Sequence, residues 1–109
     1  MEYVKVAETP LLPAGKMMLV AAKGKEILLA NVGGTYYAIT NKCTHLGGSL
    51  SDGKLEDGIV TCPRHGAQFD VRTGMNVGEA KIAFIKTKPK DEVCFEVKVE
   101  GTSILIGVP

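Results

Sequence analysis

The sequence predicts an all-β fold of antiparallel strands, and three observations carry that expectation. Runs rich in Val, Ile, Tyr and Phe recur between turn residues, the connections between them are short, and no stretch repeats its apolar residues at the 3.6-residue period of a helix. The runs are Tyr3 to Ala7, Met17 to Ala22, Glu26 to Val32, Thr35 to Thr40, Ile59 to Cys62, Lys81 to Lys86, Val93 to Val99 and Ser103 to Gly107. The last long run shows the clearest alternation. Val93, Phe95, Val97 and Val99 fall on one face, and Glu92, Cys94, Glu96 and Lys98 on the other. Turn residues fall between the runs, at Pro10 to Gly15, Lys23-Gly24-Lys25, Gly33-Gly34, Lys88 to Asp91 and Glu100-Gly101-Thr102. Connections this short join antiparallel neighbours, since parallel strands need longer crossovers. Gly33-Gly34 reads as a hairpin turn and not a phosphate loop, because no helix signature or nucleotide-binding lysine follows. Met17-Met18 and Tyr36-Tyr37 read as strand packing, and Lys86 to Lys90 as a solvated loop.

A chain of 109 residues with 45% hydrophobic content is expected to form one domain over residues 1–109, with a real core. Lys and Arg number 13 against 12 Asp and Glu, so the formal charge of +1 gives no reason to expect nucleic acid or an anionic membrane as partner. No apolar run approaches the roughly 20 residues that span a bilayer, and Met1 to Lys5 lacks the pattern of a signal peptide. A cytoplasmic, unanchored protein is therefore expected, and it is taken as a monomer. Three cysteines are an odd count, which fits metal binding or a reduced thiol better than a secreted disulfide framework.

The stretch from about residue 41 to 77 differs from its flanks. It is rich in Gly, Asp, Thr and Ser, and holds both histidines and two of the cysteines, so it reads as a functional insertion on a β framework. Cys43-Thr44-His45 and Cys62-Pro63-Arg64-His65 each offer one thiolate and one imidazole. Such ligands select zinc or iron-sulfur chemistry over magnesium or calcium, which take oxygen ligands. A Cys2His2 zinc site usually draws both thiolates from one segment and both imidazoles from another, whereas here the types alternate within each segment. That interleaving favours two metals, with Cys43 and Cys62 on one iron, His45 and His65 on the other, and two sulfides between them. A structural zinc module is the less favoured alternative. Cys94, on a strand run away from both segments, reads as a structural or idle thiol.

These two segments resemble the ligand loops of the Rieske family. Cys43-Thr44-His45-Leu46-Gly47-Gly48 is similar to the first loop, and Cys62-Pro63-Arg64-His65-Gly66-Ala67-Gln68-Phe69-Asp70, with Thr73-Gly74 after it, to the second. The resemblance implies an antiparallel β-sandwich with a small cluster-binding subdomain inserted. It also implies one [2Fe-2S] cluster on Cys43, His45, Cys62 and His65. The high-potential branch of the family carries an extra Cys in each loop, where this chain has Gly48 and Arg64. That branch also has a Ser and a Tyr whose hydroxyls bond cluster sulfurs, where this chain has Ala67 and Phe69. Fewer donors to sulfur imply a potential near the lower end of the roughly −150 to +300 mV Rieske range. Many relatives have Gly-Pro-Ala in a third loop, and this chain has Gly78-Glu79-Ala80.

The implied function is that of a ferredoxin, an electron-transfer protein and not an enzyme. It would pass single electrons from an NAD(P)H-dependent reductase to a terminal oxygenase of the aromatic-ring type; a small subunit of a fixed complex such as a nitrite reductase is the alternative. A mononuclear iron site needs two more histidines than the chain has to spare, and no Gly-rich nucleotide fingerprint is present. The expected docking tip surrounds the two imidazoles and includes Leu46, Gly47, Gly48, Pro63, Arg64 and Gly66.

Overall fold

The computed structural model describes residues 1–42, 48–63, 66–77, 80–82, 85–87 and 91–109, with 80–82 and 85–87 described by their backbone pairing. Its strands are β1 (Glu2–Glu8), β2 (Met17–Ala22), β3 (Lys25–Val32), β4 (Thr35–Thr40), β5 (Lys54–Glu56), β6 (Ile59–Thr61), β7 (Gln68–Asp70), β8 (Ala80–Ile82), β9 (Ile85–Thr87), β10 (Cys94–Glu100) and β11 (Ser103–Val108). All pairings between them are antiparallel, as expected from the short turns. The only helical turns among the described residues are two short 3-10 turns, Thr9–Leu11 and Leu50–Asp52.

Six strands form one folded sheet in the order β1-β11-β10-β4-β3-β2, and β5-β6-β7 form a second. The larger sheet folds at β10, whose first residues pair with β4 (Cys94↔Ile39, Phe95↔Ala38) and whose later ones pair with β11 (Glu96↔Gly107 onward). Between the two halves lies a core of Ala7, Leu12, Val20, Ala22, Ile27, Leu29, Ala38, Ile104, Ile106 and Val108. This is the expected sandwich.

Strand β3 explains how the small sheet is carried. Its Ile27-Leu28-Leu29-Ala30 run is wholly buried. Because side chains alternate across a strand, Ile27 and Leu29 enter the sandwich core while Leu28 and Ala30 point to the opposite face. There they meet Ile39 of β4 and Leu50, Val60, Cys62, Ala67, Phe69 and Val71 of the inserted region, forming a second core. An unbroken apolar run is the pattern of a strand covered on both sides. The paired residues Met17-Met18 and Tyr36-Tyr37 divide in the same way, Met17 and Tyr37 packing against the second core and Met18 and Tyr36 against the first.

Two sequence expectations need correction. The run from Lys81 to Lys86 is not one strand but the hairpin β8–β9, with Ile82 opposite Ile85, so Lys86 and Thr87 belong to a strand and not to a solvated loop. The apolar face of Val93 to Val99 is covered only in its middle. Phe95 and Val97 pack on the sandwich core, whereas Val93 is 62% and Val99 44% exposed, and Glu92 is buried. β10 crosses between the two halves of the sheet, so the core covers only the middle of its apolar face.

Candidate metal centre

Cys62 follows directly on β6 and is 3% exposed, inside the second core. The chain leaves it and returns as β7, closing a loop with two backbone hydrogen bonds. The Cys62 N–H donates to the Ala67 carbonyl (2.7 Å), and the Gly66 N–H donates to the Cys62 carbonyl (3.2 Å). Gly66 sits at φ +77°, the left-handed conformation that lets a glycine turn the chain back at no steric cost. Gln68 Nε2 donates to Thr61 Oγ1 (3.2 Å), adding a side-chain tie across the loop's base. Approach is close behind β6 too: a Cβ on Gly53 would lie 1.8 Å from the Thr61 carbonyl oxygen, so only glycine lets this turn abut the strand that delivers Cys62.

The first ligand segment leaves the end of β4. Asn41, 2% exposed, joins the two ends of that loop, and Lys42 bridges to Ser49. Cys43, His45 and the Leu46-Gly47 pair lie outside the described residues, as do Arg64, His65 and Glu79. Of the four expected ligands the structure therefore places Cys62. Among the described residues no group of three or more His, Cys, Asp or Glu forms a metal cage. The donor set fits a sulfide-bridged iron pair at the one position that is placed. Cys62 offers a soft sulfur in an apolar, water-poor surrounding, while Pro63 and Gly66 beside it are exposed. A group held there would be shielded on one side and one residue from the surface on the other. Of the expected docking tip, Gly48 is buried, which removes it from the surface.

Ala67 and Phe69 are 1% and 0% exposed and share the core of Cys62, so the side chains that replace the hydroxyl-bearing residues are packed against apolar groups. β7 is held from behind by the chain that follows it. Val77 N–H and Asn76 Nδ2 both donate to the Gln68 carbonyl (2.9 and 3.1 Å), Asp70 N–H donates to the Met75 carbonyl (2.9 Å), and Gly74 N–H to that of Asp70 (2.7 Å). This turn is clasped in turn by the segment leading into β10. Glu92 N–H donates to the Gly74 carbonyl (2.7 Å), and Asn76 N–H to Asp91 Oδ1 (2.7 Å).

Cys94 lies on β10 and belongs to neither ligand loop. The residue as a whole is exposed, but its Sγ rests 4.0 Å from the Arg72 carbonyl oxygen, and partial burial pushes the thiol above the ordinary cysteine range. Sequence reasoning misses Asn41, Gly53 and the Asp91–Glu92 clasp. Their only sequence signals are polar or glycine residues in loops, which fit ordinary turns equally well.

The Rieske [2Fe-2S] domain model matches residues 2–89. The ferredoxin component of the naphthalene 1,2-dioxygenase system of Pseudomonas aeruginosa is 39% identical over 97 residues, covering 89% of this chain and 86% of the relative. Among solved structures, the ferredoxin of carbazole 1,9a-dioxygenase from Nocardioides aromaticivorans IC177 superposes with a TM-score of 0.87 at 29% identity, covering 100% of both chains. A chain in a complex of reduced oxygenase and oxidized ferredoxin in carbazole 1,9a-dioxygenase superposes with a TM-score of 0.82 at 28% identity, covering 95% of this chain and 91% of that one. Together with the all-β sandwich and the buried Cys62 at its loop, these matches set zinc aside: the chain belongs to the Rieske [2Fe-2S] family, as a ferredoxin that carries electrons on one [2Fe-2S] cluster.

Proposed function

We propose that the chain forms one domain over residues 1–109, with a cluster-binding region at about 41–77 whose Cys43, His45, Cys62 and His65 hold the cluster. It passes single electrons from an NAD(P)H-dependent reductase to a terminal oxygenase, as a cytoplasmic monomer. The observation that carries the ligand set is the placement of Cys62, a buried sulfur at a loop closed on both sides by backbone hydrogen bonds and flanked by exposed residues. His65 follows it in the C-x-x-H pattern, and Cys43 and His45 fall in the sequence between Asn41 and its partner Ser49.

The bound cluster would supply reversible one-electron chemistry. The chain's own residues set the conditions for it. Val60, Ala67 and Phe69 keep water from the Cys62 side, and Pro63 and Gly66 leave the opposite side open to a partner. The side chains of Ala67 and Phe69 have no hydroxyl to donate to sulfur, which favours the oxidised form and a potential low in the Rieske range. No helix among the described residues is long and apolar enough to cross a membrane. The oxygenase assignment draws on relatives named as ferredoxin components of dioxygenase systems and on the oxygenase–ferredoxin complex.

Iron and sulfide analysis with electron paramagnetic resonance of the dithionite-reduced protein tests this reading. It expects two irons and two sulfides per chain and a rhombic signal of mixed nitrogen and sulfur ligation, lost in Cys43→Ser and in His65→Ala. One zinc per chain, or a full signal in either variant, overturns it. Stopped-flow reduction by a dioxygenase reductase and reoxidation by its oxygenase test the direction of transfer; failure of both steps overturns the partner assignment.

A further inference from the structure

We infer that Asn41 is a positioning residue that sets the geometry of the first ligand loop, an inference that rests on Cys43 and His45 being ligands. Asn41 is 2% exposed, and its backbone N–H, its carbonyl, its Oδ1 and its Nδ2 are each engaged by a described residue. Its N–H donates to the Glu26 carbonyl on β3 (3.1 Å), which fixes the residue to the sandwich. Its carbonyl accepts from Leu50 N–H (2.9 Å), its Oδ1 accepts from Ser51 N–H (2.9 Å), and its Nδ2 donates to Ser49 Oγ (2.8 Å). Ser49 Oγ and Ser51 Oγ lie 3.0 Å apart and complete the network. A single residue two positions before Cys43 thus holds the three residues at which the loop returns.

The two ligand loops are closed by different means. The second is drawn together by main-chain hydrogen bonds between Cys62, Gly66 and Ala67, which survive a change of side chain. The first has main-chain ties too, from Leu50 N–H to the Asn41 carbonyl and between Lys42 and Ser49, but adds a buried carboxamide that both donates to Ser49 and accepts from Ser51. A buried polar network of this kind is stable only when complete, and losing the carboxamide takes the acceptor from Ser51 N–H and leaves Ser49 Oγ with Ser51 Oγ in place of its amide donor. The span between the loop's ends then widens or varies, and with it the angles at which Cys43 and His45 meet the metal. Outer-shell groups that orient ligands commonly change metal affinity by 10- to 100-fold.

Asn31 provides the control. It is 4% exposed and makes a similar pair of bonds, from its Nδ2 to the Leu12 carbonyl (2.9 Å) and to its Oδ1 from Gly34 N–H (2.8 Å), but it braces the β3–β4 turn and neither ligand loop. Asn41→Ala, Ser49→Ala and Asn31→Ala are compared in the cluster-loaded protein by melting temperature, resonance g-values, midpoint potential and chelator-driven loss of visible absorbance. The expected result is that Asn41→Ala displaces and broadens the g-values and speeds cluster loss about tenfold. Ser49→Ala moves both in the same direction by less, and Asn31→Ala lowers the melting temperature alone. Asn41→Ala with wild-type g-values and release rate overturns the inference, as does Asn31→Ala moving both to the same extent. If Asn41→Ala does not load, unchanged g-values in Ser49→Ala overturn it. A wild-type protein without the mixed-ligand signal instead overturns the ligand assignment, a result distinct from silent variants of a protein that shows it.

Discussion

Leu28 and Leu29 are neighbours in β3, both 0% exposed, and they enter different cores. Truncating each to alanine therefore perturbs one side of the middle strand at a time. A buried Leu→Ala change costs about 2.7–5 kcal/mol, the lost transfer of three carbons plus the cavity left behind. Taking about 3 kcal/mol and an unfolding entropy of about 2.1 cal/mol/K per residue, a chain of 109 residues melts about 13 °C lower. A domain of this size is stable by roughly 5–15 kcal/mol, so both variants remain folded at room temperature. Calorimetry is expected to show similar losses for the two. Chelator challenge well below the melting temperature is expected to separate them, because Leu28 packs in the core that holds Cys62, Ala67 and Phe69, whereas Leu29 packs in the sandwich. Leu28→Ala should release the cluster several-fold faster than Leu29→Ala. Equal release rates would show that the cluster leaves only through global unfolding, and the assignment of two separable cores would fall.

Phe69→Tyr and Ala67→Ser are each expected to raise the midpoint potential. A hydroxyl bonded to a sulfur that gains charge on reduction favours the reduced state by about 1–1.5 kcal/mol, or roughly 40–65 mV for one electron; square-wave voltammetry finding both folded variants unchanged or lower would refute it. Gly74→Ala should destabilise by about 2–3 kcal/mol, since Gly74 sits at φ +81° and a Cβ there would lie 2.4 Å from the Glu92 carbonyl oxygen. A melting temperature within 2 °C of wild type, on the order of 0.5 kcal/mol, would contradict that clash. Burial raises the Cys94 thiol, so less thiolate is present at any given pH and alkylation by iodoacetamide between pH 7 and 9 should be slower than for an unstructured cysteine peptide. Mass spectrometry showing equal or faster labelling would refute the shielding.

Most of the sandwich was legible because its strands are long enough to show their pattern. β2 and β4 begin and end where their apolar runs do, and Gly33-Gly34 turns between β3 and β4 as expected, at φ +62° and +97°. The small sheet was legible only at β6. β5 and β7 are three residues each, Lys54–Glu56 and Gln68–Asp70, with one apolar side chain apiece, and such segments carry no periodicity. The β8–β9 reversal was hidden for the opposite reason. Ala83 and Phe84 continue the apolar composition, and no glycine, proline or asparagine marks the turn. At the site, ligand chemistry was readable from residue type and spacing, while the supports were not. Asn41 acts through partners 8 to 10 residues away, and Gly53 through closeness to a strand that only the fold brings near.

The pairing of β1 with β11 sets Glu2 beside Val108, so the first and last strands of the chain are stitched together. Both ligand loops, by contrast, are tied off by neighbours a few positions apart. Loop-closure entropy rises with the logarithm of the distance spanned, so the short ties form at the smaller expense of chain freedom and the terminal seam at the larger.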